Sequence, residues 1–211
     1  MRTGAVNTRP EATGSDSTSD IFEKRKPMRK AIIAAATVAT LALGTVGLKA
    51  RAMAADDTTT LQPGAAAPGF TLPSQTETPV SLSEYKGKFV VLYFYPKDMT
   101  TGCTIEAHNF QRDLPKYDAL NAVVLGVSLD TVESHKTFCS KDSLTFKLLA
   151  DPDHKAIDAY GVPFKGMGDN HYAARTTFLI SPDGKIVKEW DVKDIPNHSA
   201  DVLATIDSLK K

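Results

Sequence analysis

Cysteine is scarce in this chain: 211 residues hold two, Cys103 and Cys139. A small exported domain stapled by disulfides is shorter and richer in cysteine, so that class is set aside. The chain has no C-x-x-C pair of the kind a thiol–disulfide oxidoreductase needs. It also has no C-x-x-x-C pair suited to a copper carrier, because position 107 is Ala. Histidines 108, 135, 154, 171 and 198 are scattered without ligand-like spacing, so no metal and no other cofactor is expected. His108 reads as a solvent-facing helix residue. Net charge is missing too, with 25 basic and 25 acidic residues, but the balance conceals an asymmetry. Residues 1–54 carry nine Lys/Arg against four Asp/Glu, and the remainder carries sixteen against twenty-one. An acidic body without a row of cations argues against nucleic acid as a partner. No internal repeat is present. Composition leaves the two thiols open as a structural bridge, as inert core residues or as a redox pair.

The basic excess at the N-terminus flanks an apolar run. Residues 1–23, rich in Thr, Ser, Gly and acidic side chains, are expected to be disordered. Lys24 to Lys30 form a basic cluster, Ala31 to Leu48 an Ala-rich apolar stretch, and Ala52-Met53-Ala54 offers small residues for cleavage. That is the layout of a secretory signal, predicting cleavage after Ala54 and an exported, periplasmic or extracytoplasmic protein. An uncleaved membrane anchor is the alternative, and Met28 is an alternative start. Residues 55–67 read as a linker, leaving 68–211 as one domain large enough for a sizeable core.

Within that domain the pattern alternates in type. Phe89 to Tyr95 is an unbroken apolar and aromatic run stopped by Pro96, as in a strand buried on both faces. Residues 103–119 have helical spacing, Ala122 to Leu129 a second buried strand, and Val132 to Lys141 a helix with Asp130 or Thr131 as N-cap. A short strand at Leu148 to Ala150 and a short helix at Asp153 to Tyr160 follow. Strands at Thr176 to Ile180 and Lys185 to Trp190 join through Pro182-Asp183-Gly184, and residues 199–209 form an amphipathic helix. The order predicts an α/β fold, a mixed central sheet flanked by helices on both faces.

The chemistry concentrates in Pro96-Lys97-Asp98-Met99-Thr100-Thr101-Gly102-Cys103-Thr104-Ile105-Glu106. A buried strand ends, a short loop follows, and Cys103 falls where a helix begins. The unpaired N–H groups and the positive dipole end of a first turn favour thiolate over thiol, and the thiolate is the nucleophile. Thr100 is placed to aim a hydroxyl into the same pocket, and Pro96 to pack beside it and remove one N–H.

The segment Pro96-x-x-x-Thr100-x-x-Cys103 resembles the peroxiredoxin active-site pattern at every fixed position. Ala67 to Leu72, Leu82 to Lys88, Gly161-Val162, Arg175 to Ile180 and Trp190 to His198 extend the likeness over about residues 65–210, toward the bacterioferritin-comigratory or peroxiredoxin Q subfamily. The resemblance implies a thioredoxin-like fold and a thiol-dependent peroxidase. In it Cys103 would attack hydrogen peroxide or an organic hydroperoxide and become a sulfenic acid. Thr100 would bind the peroxide and Arg175 would stand beside the sulfur, held by a bidentate pair with Glu106. It also implies a thioredoxin-like or other thiol reductant, and a monomer. The sequence departs from many members at position 108, where they carry the resolving Cys and this chain has His. Cys139, on a helix some members use for resolution, is then expected to form an intramolecular disulfide with Cys103 after local unwinding. A one-Cys peroxidase without internal resolution and an exported thiol–disulfide oxidoreductase are the competing readings.

Overall fold

The computed structural model describes residues 61–168 and 170–210; the expected disordered stretch, signal segment, cleavage site and first part of the linker lie outside the described residues. Nine strands and four α-helices are described: β1 Thr71–Pro73, β2 Pro79–Ser81, β3 Phe89–Phe94, α1 Thr101–Ala119, β4 Ala122–Ser128, α2 Val132–Asp142, β5 Lys147–Ala150, α3 Lys155–Ala159, β6 Phe164–Lys165, β7 Tyr172–Ala173, β8 Thr176–Ile180, β9 Ile186–Asp191 and α4 Ile195–Ser208.

Five strands make the central sheet in the order β5-β4-β3-β8-β9, with β3, β4 and β5 parallel and β8 and β9 antiparallel to their neighbours. The longest apolar run, β3, takes the centre because there both of its faces are covered. Val90, Leu92 and Phe94 join one core with Leu72, Ile157 and Tyr160. Val91, Tyr93 and Tyr95 join the other, with Phe110 and Tyr117 of α1, Phe138 of α2 and Val202 of α4. Side chains alternate with a period of two, so a one-residue slip of β3 would exchange the two cores. Helices α1, α2 and α4 therefore cover one face, and α3 with the β1–β2 pair covers the other. β4 presents Gly126 opposite Tyr93; a Cβ there would stand 2.7 Å from the Tyr93 ring.

The mixed, two-sided sheet agrees with the sequence expectation, and boundaries differ where caps decide them. α1 starts at Thr101 rather than 103, with Thr100 as N-cap, so Cys103 is its third residue. Thr131, of the two candidates, caps α2 by accepting from Ser134 N. α4 begins at Ile195, four residues before the expected 199. Pro196 lies in its first turn, where a missing N–H costs nothing. The short helix shrinks to Lys155–Ala159 because Asp151 accepts from the backbone N–H groups of Lys155, Ala156 and Ile157. The last residues read as linker are not free: Gly64 N donates to Ile186 O and Ile186 N to Ala65 O, binding this segment to the edge strand β9.

Candidate active site

β3 and α1 place the first functional group. The strand ends at Phe94, the loop 95–100 turns the chain, and α1 begins so that Cys103 stands in its first turn. The sulfur is buried, with Cys103 at 2% exposure. The second group arrives from the antiparallel side: Arg175 directly precedes β8, the strand paired with β3, and Val192 N holds its carbonyl at 3.0 Å. From there Nη2 donates to Cys103 Sγ at 3.2 Å. Nη1 of the same guanidinium donates to Glu106 Oε2. Glu106 follows Cys103 by three residues, one helical turn, and so shares its face of α1.

The expected bidentate pair is thus not what forms. Glu106 uses one oxygen, and the second nitrogen of the fork goes to the sulfur. Glu106 Oε1 is buried with no hydrogen-bond partner among the described residues. Burial pushes the Glu106 carboxyl up to about 7, while the charge and hydrogen bond of Arg175 pull it down. A permanent cation 3.2 Å from a nearly enclosed sulfur is placed to stabilise negative charge that develops on an oxygen reacting there.

The structure brings Cys103, Arg175 and Glu106 together and leaves Thr100 at the rim. Thr100 is exposed, and its hydroxyl donates to Lys97 O at 3.0 Å rather than to the cysteine. Committing that hydrogen leaves the oxygen lone pairs available to an incoming O–H. Pro96 is half-buried on the wall of a separate surface hollow with Lys97, Leu129, Asp130 and Tyr172. Gly102 packs beside the pair: a Cβ there would make van der Waals contact with Arg175 Nη2 and Ile195 Cδ1, each at 3.4 Å.

Cys139 is a free thiol, as is Cys103. It lies in the last turn of α2, buried at 9% exposure, and lines a shallow hollow with Gln75, Thr76, Lys136, Ser140 and Leu144. Burial, and to a lesser degree the charge of Asp98, push its thiol up to about 11.

His108 is exposed and pairs with Asp142 at 3.0 Å. Two residues with a larger part escaped sequence reasoning. Asp98 and His135 form a fully buried pair, Oδ2 to Nδ1 at 2.8 Å. Their positions, 37 apart on a loop and a helix, give no periodic signal. Among the described residues no cluster of His, Cys, Asp or Glu is placed to hold a metal ion, and no helix is long and apolar enough to cross a membrane.

Comparison with known proteins covers the segment that carries these residues. The model of the AhpC/TSA family matches residues 63–189. Peroxiredoxin Bcp of Bacillus subtilis is 41% identical over 155 residues, which cover 72% of this chain and 99% of that protein. The chloroplastic peroxiredoxin Q of Sedum lineare is 39% identical over 148 residues, 70% of this chain and 78% of that protein. Among solved structures, a cysteine-to-serine mutant of PrxQ from Xylella fastidiosa matches with a TM-score of 0.68 at 36% identity, covering 73% of this chain and all of that one. A bacterioferritin comigratory protein of Xanthomonas campestris, solved in connection with its alkyl peroxide reduction activity, matches with a TM-score of 0.63 at 36% identity, covering 67% of this chain and 92% of that one.

Proposed function

The chain belongs to the AhpC/TSA family, among the thiol peroxidases of its peroxiredoxin Bcp/Q branch, and on that premise we propose that Cys103 is its peroxidatic residue. The observation that carries the proposal is the guanidinium of Arg175, shared between Cys103 Sγ and Glu106. The sulfur attacks one peroxide oxygen and the O–O bond breaks. The leaving oxygen takes its charge away beside Arg175 and collects a proton, giving water or an alcohol, while Cys103 becomes the sulfenic acid. Thr100 accepts the hydrogen bond of the incoming hydroperoxide, since its own hydrogen is engaged by Lys97 O. Hydrogen peroxide and small organic hydroperoxides are the substrates; the alkyl peroxide chemistry named for the Xanthomonas relative supports the second class.

Cys139 then attacks the sulfenic sulfur, an S–S bond forms, and the hydroxyl leaves as water. A dithiol reductant of the thioredoxin type restores both thiols. The domain works as a monomer, and the N-terminal segment through Ala54 exports it. Two observations support Cys139 as the partner: it is the one other cysteine in the chain, and it sits in a terminal helical turn, where unwinding is least costly. Its burial and raised thiol pKa favour the second reading, a one-Cys enzyme.

Two measurements test this. Peroxide consumption supported by dithiothreitol is expected to vanish in Cys103→Ser; full activity in that variant would end the peroxidase assignment to this site. Peptide mapping after one equivalent of peroxide is expected to give a Cys103–Cys139 crosslink, whereas a persistent Cys103 sulfenic acid without it would establish one-Cys chemistry.

A further inference from the structure

One buried carboxyl group ties the chain just ahead of Cys103 to the helix that carries Cys139. Asp98 stands in the loop between β3 and α1, five residues before Cys103, and its side chain is fully buried. Oδ1 accepts from the Tyr95 hydroxyl at 2.7 Å. Oδ2 accepts from Ser134 Oγ at 2.7 Å and from His135 Nδ1 at 2.8 Å. The Asp98 backbone N–H donates to Asp130 Oδ2 at 2.9 Å, and that oxygen also takes Ser128 Oγ at 2.7 Å. His135 Nε2 has no hydrogen-bond partner among the described residues, so the Nδ1 side, with Asp98 at 2.8 Å and the Tyr95 hydroxyl at 3.3 Å, is what fixes the ring.

The placement of this knot relative to the thiols is informative. Ser134 and His135 lie in the first turns of α2, beside its capped end. Cys139 lies at the other end, where its carbonyl accepts from Leu144 N at 3.0 Å across a left-handed Ser143, φ 54°. On the opposite side the knot grips the loop and not α1, whose first turn holds Cys103. Both turns that carry a thiol can therefore unwind while the knot stays closed. No hydrogen bond joins Asp98 to Cys103, Glu106 or Arg175 among the described residues, so the peroxide step does not call on it.

We propose that the Asp98–His135 pair is a positioning device for the second half of the cycle, a pin that holds together the fixed ends of the two segments whose thiols must meet. The proposal rests on the reading of Cys139 as the resolving residue. The pin itself undergoes no redox change. The S–S bond replaces the S–OH bond of Cys103, and water leaves with the proton of Cys139.

The expected size follows from chain lengths. Without the pin, the backbone bond from Asp98 N–H to Asp130 still stands, leaving five residues from Asp98 to Cys103 and nine from Asp130 to Cys139, fourteen in all. With it, five residues run from Asp98 and four from His135, nine in all. Encounter of two chain ends scales inversely with tether length to the three-halves power, so the pin speeds resolution by about twofold.

The test uses the full chain, the Asp98→Asn and Ser134→Ala variants, rapid mixing with hydrogen peroxide, alkylation quench and mass spectrometry. Loss of peroxide in the first turnover is expected to match wild type. The Cys103–Cys139 disulfide is expected to form about twofold more slowly in Asp98→Asn, with more Cys103 sulfinic acid at a given peroxide excess, and Ser134→Ala is expected to shift the same way by less. Should Asp98→Asn fail to fold, Ser134→Ala decides the matter. Unchanged or faster disulfide formation would overturn the pin, as would an equal slowing of both steps. Failure of the underlying reading looks different: the sulfenic acid then persists in wild type and in both variants alike.

Discussion

Arg175 Nη2 lies 3.2 Å from Cys103 Sγ while Nη1 of the same group is held by Glu106 Oε2. A planar fork divides its two nitrogens between two partners, and an ammonium group cannot reproduce that. Arg175→Lys keeps the charge and loses the division. Its second-order rate constant for peroxide is expected to fall by on the order of 10²-fold, the scale of one missing oxyanion donor, with circular dichroism unchanged. A Lys variant that keeps wild-type speed would show that charge alone suffices.

Thr100 donates to Lys97 O and has its lone pairs free. If it acts as acceptor for the peroxide O–H, Thr100→Ser is expected to keep most of the rate and Thr100→Val to lose at least about tenfold, the value of one hydrogen bond to a charged or reacting group. Stopped-flow measurement of the first step discriminates the two. Equal rates in both variants would remove Thr100 from the site.

Burial sets two titrations against each other. It raises the Glu106 carboxyl from 4.5 to about 7, and it lowers the His198 imidazole from 6.5 to about 4. Between pH 7 and 4.5 the folded chain keeps a Glu106 proton that the unfolded chain has released, so acidification through this window favours folding. His198 works in the opposite direction: the unfolded chain takes up a proton near 6.5 that the folded chain refuses until about 4, so acidification favours unfolding. Urea midpoints measured across this range are expected to drop more steeply with acid in Glu106→Gln than in wild type. In His198→Gln they are expected to drop less or to rise. Curves parallel to wild type would contradict both assignments.

Gly126 lies under the Tyr93 ring, and an added methyl would sit 2.7 Å from Tyr93 Cζ and from Leu148 Cδ2. Gly126→Ala is expected to destabilise the fold by about 1–3 kcal/mol, as overpacking of a closed core does. Thermal melting checks the figure, and an unchanged midpoint would mean the ring moves aside freely.

The sheet was legible because its signals are local. Phe89 to Tyr95 could only be a strand covered on both faces, and Pro182-Asp183-Gly184 could only be a tight connection, with Gly184 at φ +79°. Helix ends were less so, since Asp151 caps α3 from outside the helix and Pro196 extends α4 toward its N-terminus. At the site, motif and resemblance pointed to Cys103, Arg175 and Glu106, yet the way the guanidinium divides between them depends on the β3–β8 register and is written nowhere in the local sequence. The Asp98–His135 pair was invisible for the same reason. Each residue has an ordinary role in isolation, and a tertiary contact between a loop and α2 gives them a joint one.

The central claim is that Cys103 is the atom that peroxide oxidises. Full-length Cys139→Ser, treated with one equivalent of hydrogen peroxide and a sulfenic-acid trap, tests it in a single mass spectrum. The account predicts one trapped adduct, on Cys103, formed as fast as peroxide disappears. Peroxide consumed at the wild-type rate with Cys103 still a free thiol would contradict it.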